Sequence, residues 1–291
     1  MGQGLGNQLF VYSYILNLVK NNSSNDLKIN ILFNRKSNNE RKFLLGELIN
    51  LDSDKISFSL NNQIEYFVKI LLYKIIKNEN ILRKFHVFHE QKIFTFEKEL
   101  LRVPKNSLVR GQFISKEYTD PIFLDLKTKI AKWLSFQEIS CTVLDKNFKD
   151  SIILHFRRGD TVGKNAKTRG LLTSNYYDEA IRVISKERNF KPKNIIAITD
   201  DLKTSKKDFK DIPVTDWFGP DEIGAIQALK VFVNAPNFVG SNSTLSWWGA
   251  KLSSAPIDQS IRILPFPWLG FKESIADQAL FNPSVTYIGA K

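Results

Sequence analysis

The sequence of 291 residues contains a single cysteine, Cys141. One cysteine cannot form a disulfide within the chain, which excludes a disulfide-stabilised scaffold and suits a reducing cytoplasm. Long apolar runs are missing as well: no stretch of about 18 uncharged apolar residues occurs, so a membrane-spanning helix is not expected. The chain opens on a glycine-rich segment rather than a basic segment followed by an apolar one, and no signal peptide is predicted.

Acidic residues are in deficit. The chain has 30 Asp and Glu against 42 Lys and Arg, which gives a formal net charge of +12 at pH 7. This excess favours acidic partners such as nucleotides, acidic glycans or anionic membranes. A non-catalytic module that binds nucleic acid is a remote alternative, because the basic residues are dispersed and no recognised binding motif occurs.

The most informative segment is His155-Phe156-Arg157-Arg158-Gly159-Asp160, which directly follows the apolar run at 152–154. The apolar run predicts a buried strand, and arginine presents a fork of donors that matches two phosphate oxygens at once. Ligands of open α/β sheets bind beyond the carboxyl ends of the strands, so we interpret the arginine pair as a phosphate clamp. The alternative is an ion pair of either arginine with Asp160.

A second segment, GSNSTLSWWG at 240–249, follows the apolar residues 238 and 239. Apolar or small residues at 245, 248, 249 and 252 have helical spacing, which predicts a helix that begins near Ser243. Free backbone donors and the dipole at a helix start favour an anion, so Ser241 to Thr244 are predicted to form the second half of a phosphate or sugar site. Trp247 and Trp248 are interpreted as ordinary core aromatics.

Two weaker segments complete the pattern. The opening residues GQGLGNQ, at 2–8, precede an apolar helix, and glycines there permit close approach of the backbone to a ligand, while Asn7 supplies donors and acceptors. The segment is not the dinucleotide fingerprint, because no third glycine has the required spacing. The strand-like run 195–199 leads into Asp200 and Asp201, which could contact a ribose or base, or simply cap the next helix.

Together these four segments resemble glycosyltransferase family 11, the α-1,2-fucosyltransferases of bacteria and animals. The family pattern of Gly-Leu-Gly-Asn-Gln, His-x-Arg-Arg-Gly-Asp, Thr-Asp-Asp and Ser-Asn-Ser-Thr-x-Ser-Trp-Trp-Gly occurs here in the same order, from residue 2 to about residue 252. The combination is far more specific than any one segment. The resemblance implies transfer of L-fucose from GDP-fucose to a hydroxyl of a glycan, with O2 of a galactoside as the expected position.

The resemblance also implies a role for each matching residue. Arg157 would hold the β-phosphate of GDP-fucose, and Arg158 would supply supporting charge. His155 and Asp201, with Asp200, would lie near the guanosine. The residues that would line the diphosphate are Ser241, Asn242, Ser243 and Thr244. The residues that would approach the fucose from the opposite domain are Asn7, Gly4 and Gly6.

Transfer with inversion calls for a base that removes the proton of the acceptor hydroxyl, and Asp160 is the first candidate. The family implies no divalent metal and no cofactor besides the donor substrate. Asp52-Ser53-Asp54 has the Asp-x-Asp form of metal-dependent glycosyltransferases, but we interpret it as an ordinary polar loop. His86, His89 and Cys141 do not have the spacing of a zinc site.

The fold class predicted is α/β. Residues 146–291 alternate strand and helix patterns, which predicts a Rossmann-like domain for GDP-fucose, and residues 1–145 form the expected acceptor-side domain. The resemblance implies the GT-B arrangement of two Rossmann-like domains that face a cleft. Members of the family begin with a short apolar strand before the glycine segment, and here Met1 adjoins that segment, so the first strand is expected to be missing.

The segment 64–77 predicts a basic amphipathic helix. It could rest on an anionic membrane that displays lipid-linked glycans, which would give a cytoplasmic protein a peripheral contact with the inner face of the membrane. The commoner alternative is a helix that faces the core and keeps its lysines in water. The remaining alternatives for activity are another fucosyl linkage and another nucleotide-sugar donor.

Overall fold

The computed structural model describes residues 4–22, 29–31, 43–50, 56–58, 64–137, 150–159, 170–189, 191–256, 259–268 and 274–289. The chain divides into two compact units, Met1–Trp133 and Leu134–Lys291. The predicted boundary between residues 145 and 146 lies outside the described residues and stays a prediction. The GT-B arrangement also stays a prediction. The missing first strand does too, because it concerns residues before Gly4, which lie outside the described residues.

The described part of the first unit is mainly helical. It contains two small parallel pairs of strands, β1 (Ile29–Ile31) with β2 (Ile56–Phe58) and β3 (Val87–His89) with β4 (Leu108–Arg110). Its helices are α1 (Leu5–Asn21), α2 (Gly46–Asn50), α3 (Ile64–Ile75), α4 (Glu79–Lys84), α5 (Lys116–Thr119) and α6 (Phe123–Ser135), with 3-10 turns at Lys98–Arg102 and Asp120–Ile122. Helix α6 continues two residues into the second unit.

Helix α1 is the core element of the first unit. The Tyr14 ring stacks on Phe113 with centroids 3.9 Å apart, and the Tyr14 hydroxyl donates to the Leu100 carbonyl at 2.6 Å. Asn17 is buried and its Nδ2 donates to the Tyr118 carbonyl at 3.0 Å. Buried polar groups need such partners because an unsatisfied donor costs about 1–3 kcal/mol. Helix α1 is therefore fixed by both packing and hydrogen bonds.

The second unit is a six-stranded sheet in which every neighbouring pair is parallel. Its strands are β5 (Ser151–Phe156), β6 (Asn194–Thr199), β7 (Asp216–Phe218), β8 (Asn237–Val239), β9 (Ile261–Phe266) and β10 (Thr286–Gly289). Its remaining helices are α7 (Ser174–Glu187), α8 (Leu202–Asp208), α9 (Ala225–Asn234), α10 (Thr244–Lys251) and α11 (Ile275–Leu280). The predicted alternation of strand and helix is confirmed.

The strand order defines where this sheet can bind a ligand. Across the sheet the order is β10-β9-β8-β5-β6-β7. Counted from β5 as the first strand, this is 3-2-1-4-5-6, the order of the doubly wound nucleotide-binding fold. The connections run in opposite directions on either side of β5 and β8, which makes a crevice at the carboxyl ends of these two strands. The segments after Phe156 and after Val239 meet this crevice.

The core of the second unit explains why the strand β5 is rigid. All six of its residues are buried. The Phe156 ring stacks on Phe209 with centroids 4.2 Å apart and meets Tyr177 of α7 edge-on at 4.5 Å. Aromatic pairs of this kind contribute about 0.5–1.5 kcal/mol each beyond the area they bury. The residue that follows Phe156 therefore starts from a well-fixed position.

The prediction for segment 64–77 concerned its helical structure and the side that it buries. The segment is helical over Ile64–Ile75, as its pattern predicts. The expectation that it buries its aliphatic residues and keeps its lysines in water holds only in part. Lys69 is buried, whereas Val68, Leu71 and Ile75 are exposed. Ile70 and Leu72 are half-buried, and Lys74 is exposed. None of the described helices is long and apolar enough to span a bilayer.

Candidate active site

Arg157 lies at the carboxyl end of β5 and reaches the start of α10. It is partly exposed, and its Nη1 donates a hydrogen bond to the Ser243 Oγ at 3.0 Å. Ser243 is the N-cap of α10, and its Oγ accepts from the Leu245 amide at 3.3 Å. The predicted helix start at Ser243 is thus confirmed. The arginine segment and the serine segment, separated by 86 positions, come together in one site.

The electrostatics of this site favour an anion. The amino end of a helix carries about half a positive charge and exposes backbone N–H groups. A guanidinium in hydrogen-bond contact with the N-cap adds a full positive charge at the same end, where acidic groups would ordinarily be preferred. A phosphate bound here would be attracted by both, which is the arrangement found at many nucleotide sites.

His155 is buried beneath this site, with 6% of its surface exposed. Its Nδ1 lies 2.6 Å from the Ser246 Oγ and 3.3 Å from the Ser241 Oγ, and its ring packs on Phe232 with centroids 4.9 Å apart. Burial, with a smaller effect from the charge of Arg157, lowers the pKa of His155 to about 3. The imidazole is therefore neutral at working pH. The predicted contact with guanosine stays a prediction.

Arg158 has a different environment from its neighbour. Only 5% of it is exposed, its Nε donates to Asp208 Oδ2 at 2.7 Å, and its Nη2 donates to the Leu172 carbonyl at 2.7 Å. The guanidinium also lies over the Phe209 ring, 4.2 Å from its centroid. These contacts favour a structural role that fixes the turn after β5. A contact of Arg158 with phosphate remains a prediction.

The two aspartates after β6 have distinct roles in the described structure. Asp200 Oδ1 accepts the backbone amides of Arg158 at 2.7 Å and Gly159 at 3.0 Å, so Asp200 fixes the turn that carries the arginines. Asp201 is the N-cap of α8 and accepts from the Thr204 amide at 2.9 Å, and these hydrogen bonds lower the pKa of Asp201. The capping alternative is confirmed for Asp201. The predicted contacts with the nucleoside are not tested.

The loop between β8 and α10 is held from several sides. Asn242 Nδ2 donates to the Gly170 carbonyl at 2.6 Å, and the Ser241 amide donates to the Ser246 Oγ at 3.0 Å. Thr244 is the first residue of α10. Gly240 has no space for a side chain, since a Cβ there would lie 2.5 Å from a Leu264 carbon. The predicted contact of these residues with a diphosphate stays a prediction.

Two tyrosines that the sequence patterns did not single out as functional fix both loops. The Tyr176 hydroxyl donates to the Gly240 carbonyl at 2.7 Å, and the Tyr177 hydroxyl donates to the His155 carbonyl at 2.9 Å. Both side chains are fully buried, and burial raises the pKa of each. The sequence signal for this role is a pair of adjacent tyrosines at a helix start, because a buried phenol hydroxyl needs a hydrogen-bond acceptor. Trp247 and Trp248 are buried, as predicted for core aromatics.

The predicted residues of the first unit lie at the start of α1. Gly4 is its N-cap, while Gly6 and Asn7 belong to its first turn. Asn7 Nδ2 donates to Gln112 Oε1 at 3.1 Å. A contact of these residues with sugar is not tested.

The Asn7 bond leads to a carboxylate that the sequence analysis missed. The backbone N–H of Gln112 donates to Glu90 Oε2 at 2.7 Å, and burial raises the pKa of Glu90. No motif points to Glu90, because its neighbours in sequence are unremarkable and its link to Asn7 runs through a distant loop.

Several predicted features lie outside the described residues: the candidate base Asp160, the Asp52-Ser53-Asp54 segment and Cys141. Among the described residues no group of three or more His, Cys, Asp and Glu is arranged to hold a metal ion. Two cavities of about 480 and 530 Å³ border β9 and β10, and neither is lined by a residue of the predicted site.

Fold and site together define the class of protein. A parallel α/β sheet with a cationic cluster at its topological switch point is the arrangement of nucleotide-binding proteins. The family model for glycosyl transferase family 11 matches residues 1–289. The chain therefore belongs to glycosyl transferase family 11, as its sequence segments indicated, and it is a glycosyltransferase.

Two relatives from Escherichia coli are similar to this chain. An alpha-1,2-colitosyltransferase is 28% identical over 290 residues, which cover 93% of this chain and 91% of the relative. The O-antigen biosynthesis glycosyltransferase WbnK is 32% identical over 119 residues, which cover 40% of this chain and 38% of that relative. The first similarity extends over nearly the whole of both chains, so both units of the described structure have counterparts in a glycosyltransferase.

Proposed function

We propose that this protein is an inverting transferase that moves L-fucose from GDP-fucose to a hydroxyl of a glycan acceptor, with O2 of a galactoside as the expected position. The family and the name of the colitosyltransferase relative support the reaction class and an α-1,2 linkage. One observation carries the proposal: the Arg157 guanidinium lies 3.0 Å from the N-cap of α10, at the switch point of the sheet.

The leaving group sets the main electrostatic task. When the bond between the anomeric carbon and the GDP oxygen breaks, positive charge develops on the sugar and negative charge develops on the β-phosphate. Arg157 and the amino end of α10 are placed to stabilise that negative charge before the reaction starts. A single preorganised donor of this kind typically contributes about 3–4 kcal/mol in the transition state.

The network behind Arg157 keeps this charge in place. Asp200 holds the backbone of the turn, and Arg158 ties it to Asp208 and to Leu172. Neutral His155 occupies the space beneath the site and adds no second charge there. Phosphate would therefore bind mainly through Arg157, the side chain of Ser243 and backbone N–H groups of α10.

Inversion requires the acceptor hydroxyl to attack the anomeric carbon from the face opposite GDP. We propose Asp160 as the base that accepts its proton. Asp160 follows the described turn at Gly159, and its assignment rests on its place in the sequence segment. Conversion of Asp160 to Asn is expected to slow transfer at saturating donor and to leave donor affinity unchanged, and unchanged turnover would remove Asp160 from the mechanism.

A second donor is favoured by a specific observation. The relative that matches nearly the whole chain is named for transfer of colitose. Colitose is fucose without its 3-hydroxyl group, so GDP-colitose would place the same diphosphate against Arg157. The two donors differ by one hydroxyl, and a site that hydrogen-bonds this hydroxyl would discriminate strongly against the deoxy sugar.

The deciding experiment supplies the purified protein with GDP-fucose, GDP-colitose or a UDP-sugar, together with a panel of galactosides, and determines the linkage of any product. We expect a product with an α-1,2 linkage from a GDP-sugar, none from a UDP-sugar, and equal rates with and without a chelator. Products from a UDP-sugar alone would overturn the donor assignment. Strong salt-dependent binding of RNA or DNA, without competition by GDP, would favour the remote alternative of a nucleic-acid-binding module.

A further inference from the structure

Helix α3 contacts the rest of the first unit through Lys69 and Tyr73, beside half-buried Leu72 and Ile76. Lys69 is 8% exposed, and its Nζ donates to the Asn106 carbonyl. The Tyr73 ring lies under the Arg110 guanidinium, 4.8 Å from its centroid, and meets the His89 ring edge-on at 5.3 Å. A lysine and a tyrosine therefore anchor the helix to strands β3 and β4 and to the turn before β4.

The opposite side of α3 is aliphatic and exposed. Val68 and Leu71 are each 46% exposed and Ile75 is 68% exposed. Residues separated by three and seven positions lie on one side of a helix, so the three side chains form a single stripe. An ordinary surface helix buries its aliphatic stripe and exposes its lysines. In this helix Lys69 is buried and the aliphatic stripe is exposed, so the stripe needs an explanation.

Positive charge surrounds the stripe. Lys74 and Lys77 are exposed beside it, and Glu79 is the one acidic residue in the sequence between positions 68 and 85. Helix α4 follows after three residues and adds exposed Ile81 and Phe85. The cations exposed at its end are Arg83 and Lys84. Exposed apolar and exposed basic side chains therefore occur together between positions 68 and 85.

We propose that this surface docks the protein on an anionic phospholipid bilayer. The docking surface comprises Val68, Leu71, Ile75, Ile81 and Phe85 with Lys74, Lys77, Arg83 and Lys84. Aliphatic and aromatic side chains enter the boundary between headgroups and acyl chains, while the flanking cations bind the lipid phosphates. A second copy of the chain is a poorer occupant, because a symmetric contact would bring the same positive charges together.

Vesicle sedimentation without any sugar donor tests this proposal. Vesicles of phosphatidylglycerol and phosphatidylcholine in equal parts should bind the protein, and vesicles of phosphatidylcholine alone should not. Replacement of Val68, Leu71 and Ile75 by Ser should lower partitioning at least tenfold, since each buried methylene contributes about 0.8 kcal/mol. The pair Lys74→Glu and Lys77→Glu should lower it about thirtyfold or more, and 0.5 M salt should have a similar effect.

Matched control variants distinguish binding through this surface from non-specific binding to vesicles. Leu124→Ser removes an aliphatic side chain that is 81% exposed on α6, and the pair Lys186→Glu and Lys191→Glu makes the same charge change at exposed positions of the second unit. Both controls should bind vesicles within about twofold of the unmodified protein. Equal losses in the controls would mean that binding follows total charge or hydrophobicity, and would overturn the proposal.

Two further results would also overturn it. One is the absence of binding to the anionic vesicles. The other is a dimer in light scattering that the triple Ser variant converts to a monomer, because the stripe would then be covered by a second copy. Transfer to a soluble galactoside is measured in parallel, and the docking variants should retain it. Failure of docking and failure of the proposed reaction are therefore distinguishable.

Discussion

The two ends of helix α10 each have an arginine nearby, and the two arginines are placed for different purposes. At the carboxyl end, Arg262 of β9 is 3% exposed, and its Nη1 donates to the Phe232 carbonyl at 2.7 Å and the Gly249 carbonyl at 3.1 Å. Its Nη2 donates to the carbonyls of Val233 and Ala235. At the amino end, partly exposed Arg157 contacts Ser243.

The helix dipole explains the difference. The negative ends of α9 and α10 attract a cation, so Arg262 stabilises the fold through charge and hydrogen bonds together, even though burial lowers its pKa. At the positive end of α10 a cation opposes the dipole. Such a placement contributes little to stability and makes sense as part of a site for an anionic ligand. We therefore interpret Arg262 as structural and propose Arg157 as the arginine that binds the anionic ligand.

The largest expected effect is on catalysis. Arg157→Ala should reduce transfer about 10²–10³-fold, because the leaving phosphate loses its preorganised positive donor. Unfolding by urea should change little, since Arg157 is partly exposed and opposes the helix dipole. Arg182→Ala, at a side chain that is 74% exposed, is the matched control and should keep full activity. Near-normal turnover of the Arg157 variant would show that the comparison between the two ends is wrong.

Arg262 should give the converse result. Arg262→Met retains much of the volume of the stem but removes the guanidinium from four buried carbonyls, of which, among the described residues, only that of Val233 keeps a further donor, the Ser254 amide. We expect a loss of about 2–3 kcal/mol of unfolding free energy. Arg182→Met should change stability by less than about 0.5 kcal/mol. Activity per folded molecule should remain close to normal, measured below the temperature at which the variant unfolds. Unchanged stability with lost activity would reverse the roles assigned to the two arginines.

A pH dependence tests the claim that buried His155 is neutral and adds no charge beside Arg157. Buried His155 has a folded pKa of about 3, below its ordinary value of 6.5. The unfolded chain therefore binds a proton between these values and the folded chain does not, so stability falls as pH falls through this window. Between pH 6.5 and pH 5 the loss due to His155 should be about 1.5 kcal/mol.

The measurement compares urea unfolding of the unmodified protein and His155→Gln at both pH values. The variant lacks the titrating imidazole. Its free energy of unfolding should therefore fall by about 1.5 kcal/mol less than that of the unmodified protein between pH 6.5 and pH 5. Other titrating groups affect both proteins equally and cancel in the difference. Equal losses would mean that His155 titrates in the folded protein, which would place a second cation beside Arg157 in mild acid.

Sequence patterns located this site but not its internal contacts. The strand before His155 and the helix start at Ser243 are local features, written in runs of apolar residues and in capping chemistry. The partner of Arg158, in contrast, is Asp208, and no short pattern links positions separated by 50 residues. Neighbouring arginines in a strand-ending segment look equivalent in sequence, and only the tertiary contacts with Asp208, Leu172 and Phe209 show which one is buried.

Helix α3 shows the same limit. Its periodic pattern predicted the helix, and the same pattern favoured burial of the aliphatic side, which the structure leaves partly exposed. Contacts of Lys69 with Asn106 and of Tyr73 with Arg110 fix its orientation, and both partners come from the loop and strand some forty residues later. Local periodicity therefore defines an element, whereas tertiary contacts decide which side of it meets solvent.

The smallest expected effect concerns a third helix end. At the amino end of α8 the chain supplies its own anion, because Asp201 caps the helix through Thr204. Asp201→Ala should lose about 1 kcal/mol of unfolding free energy, whereas Asp201→Asn should lose less than about 0.5 kcal/mol because asparagine is an equally good cap. The nucleoside contact implied by the family adds a second expectation: Asp201→Asn should raise the donor KM about tenfold, the effect of about 1.4 kcal/mol. An unchanged donor KM would leave Asp201 as a cap alone. The helix start that carries its own carboxylate would then be purely structural, in contrast to the start of α10, which we propose as the anion site.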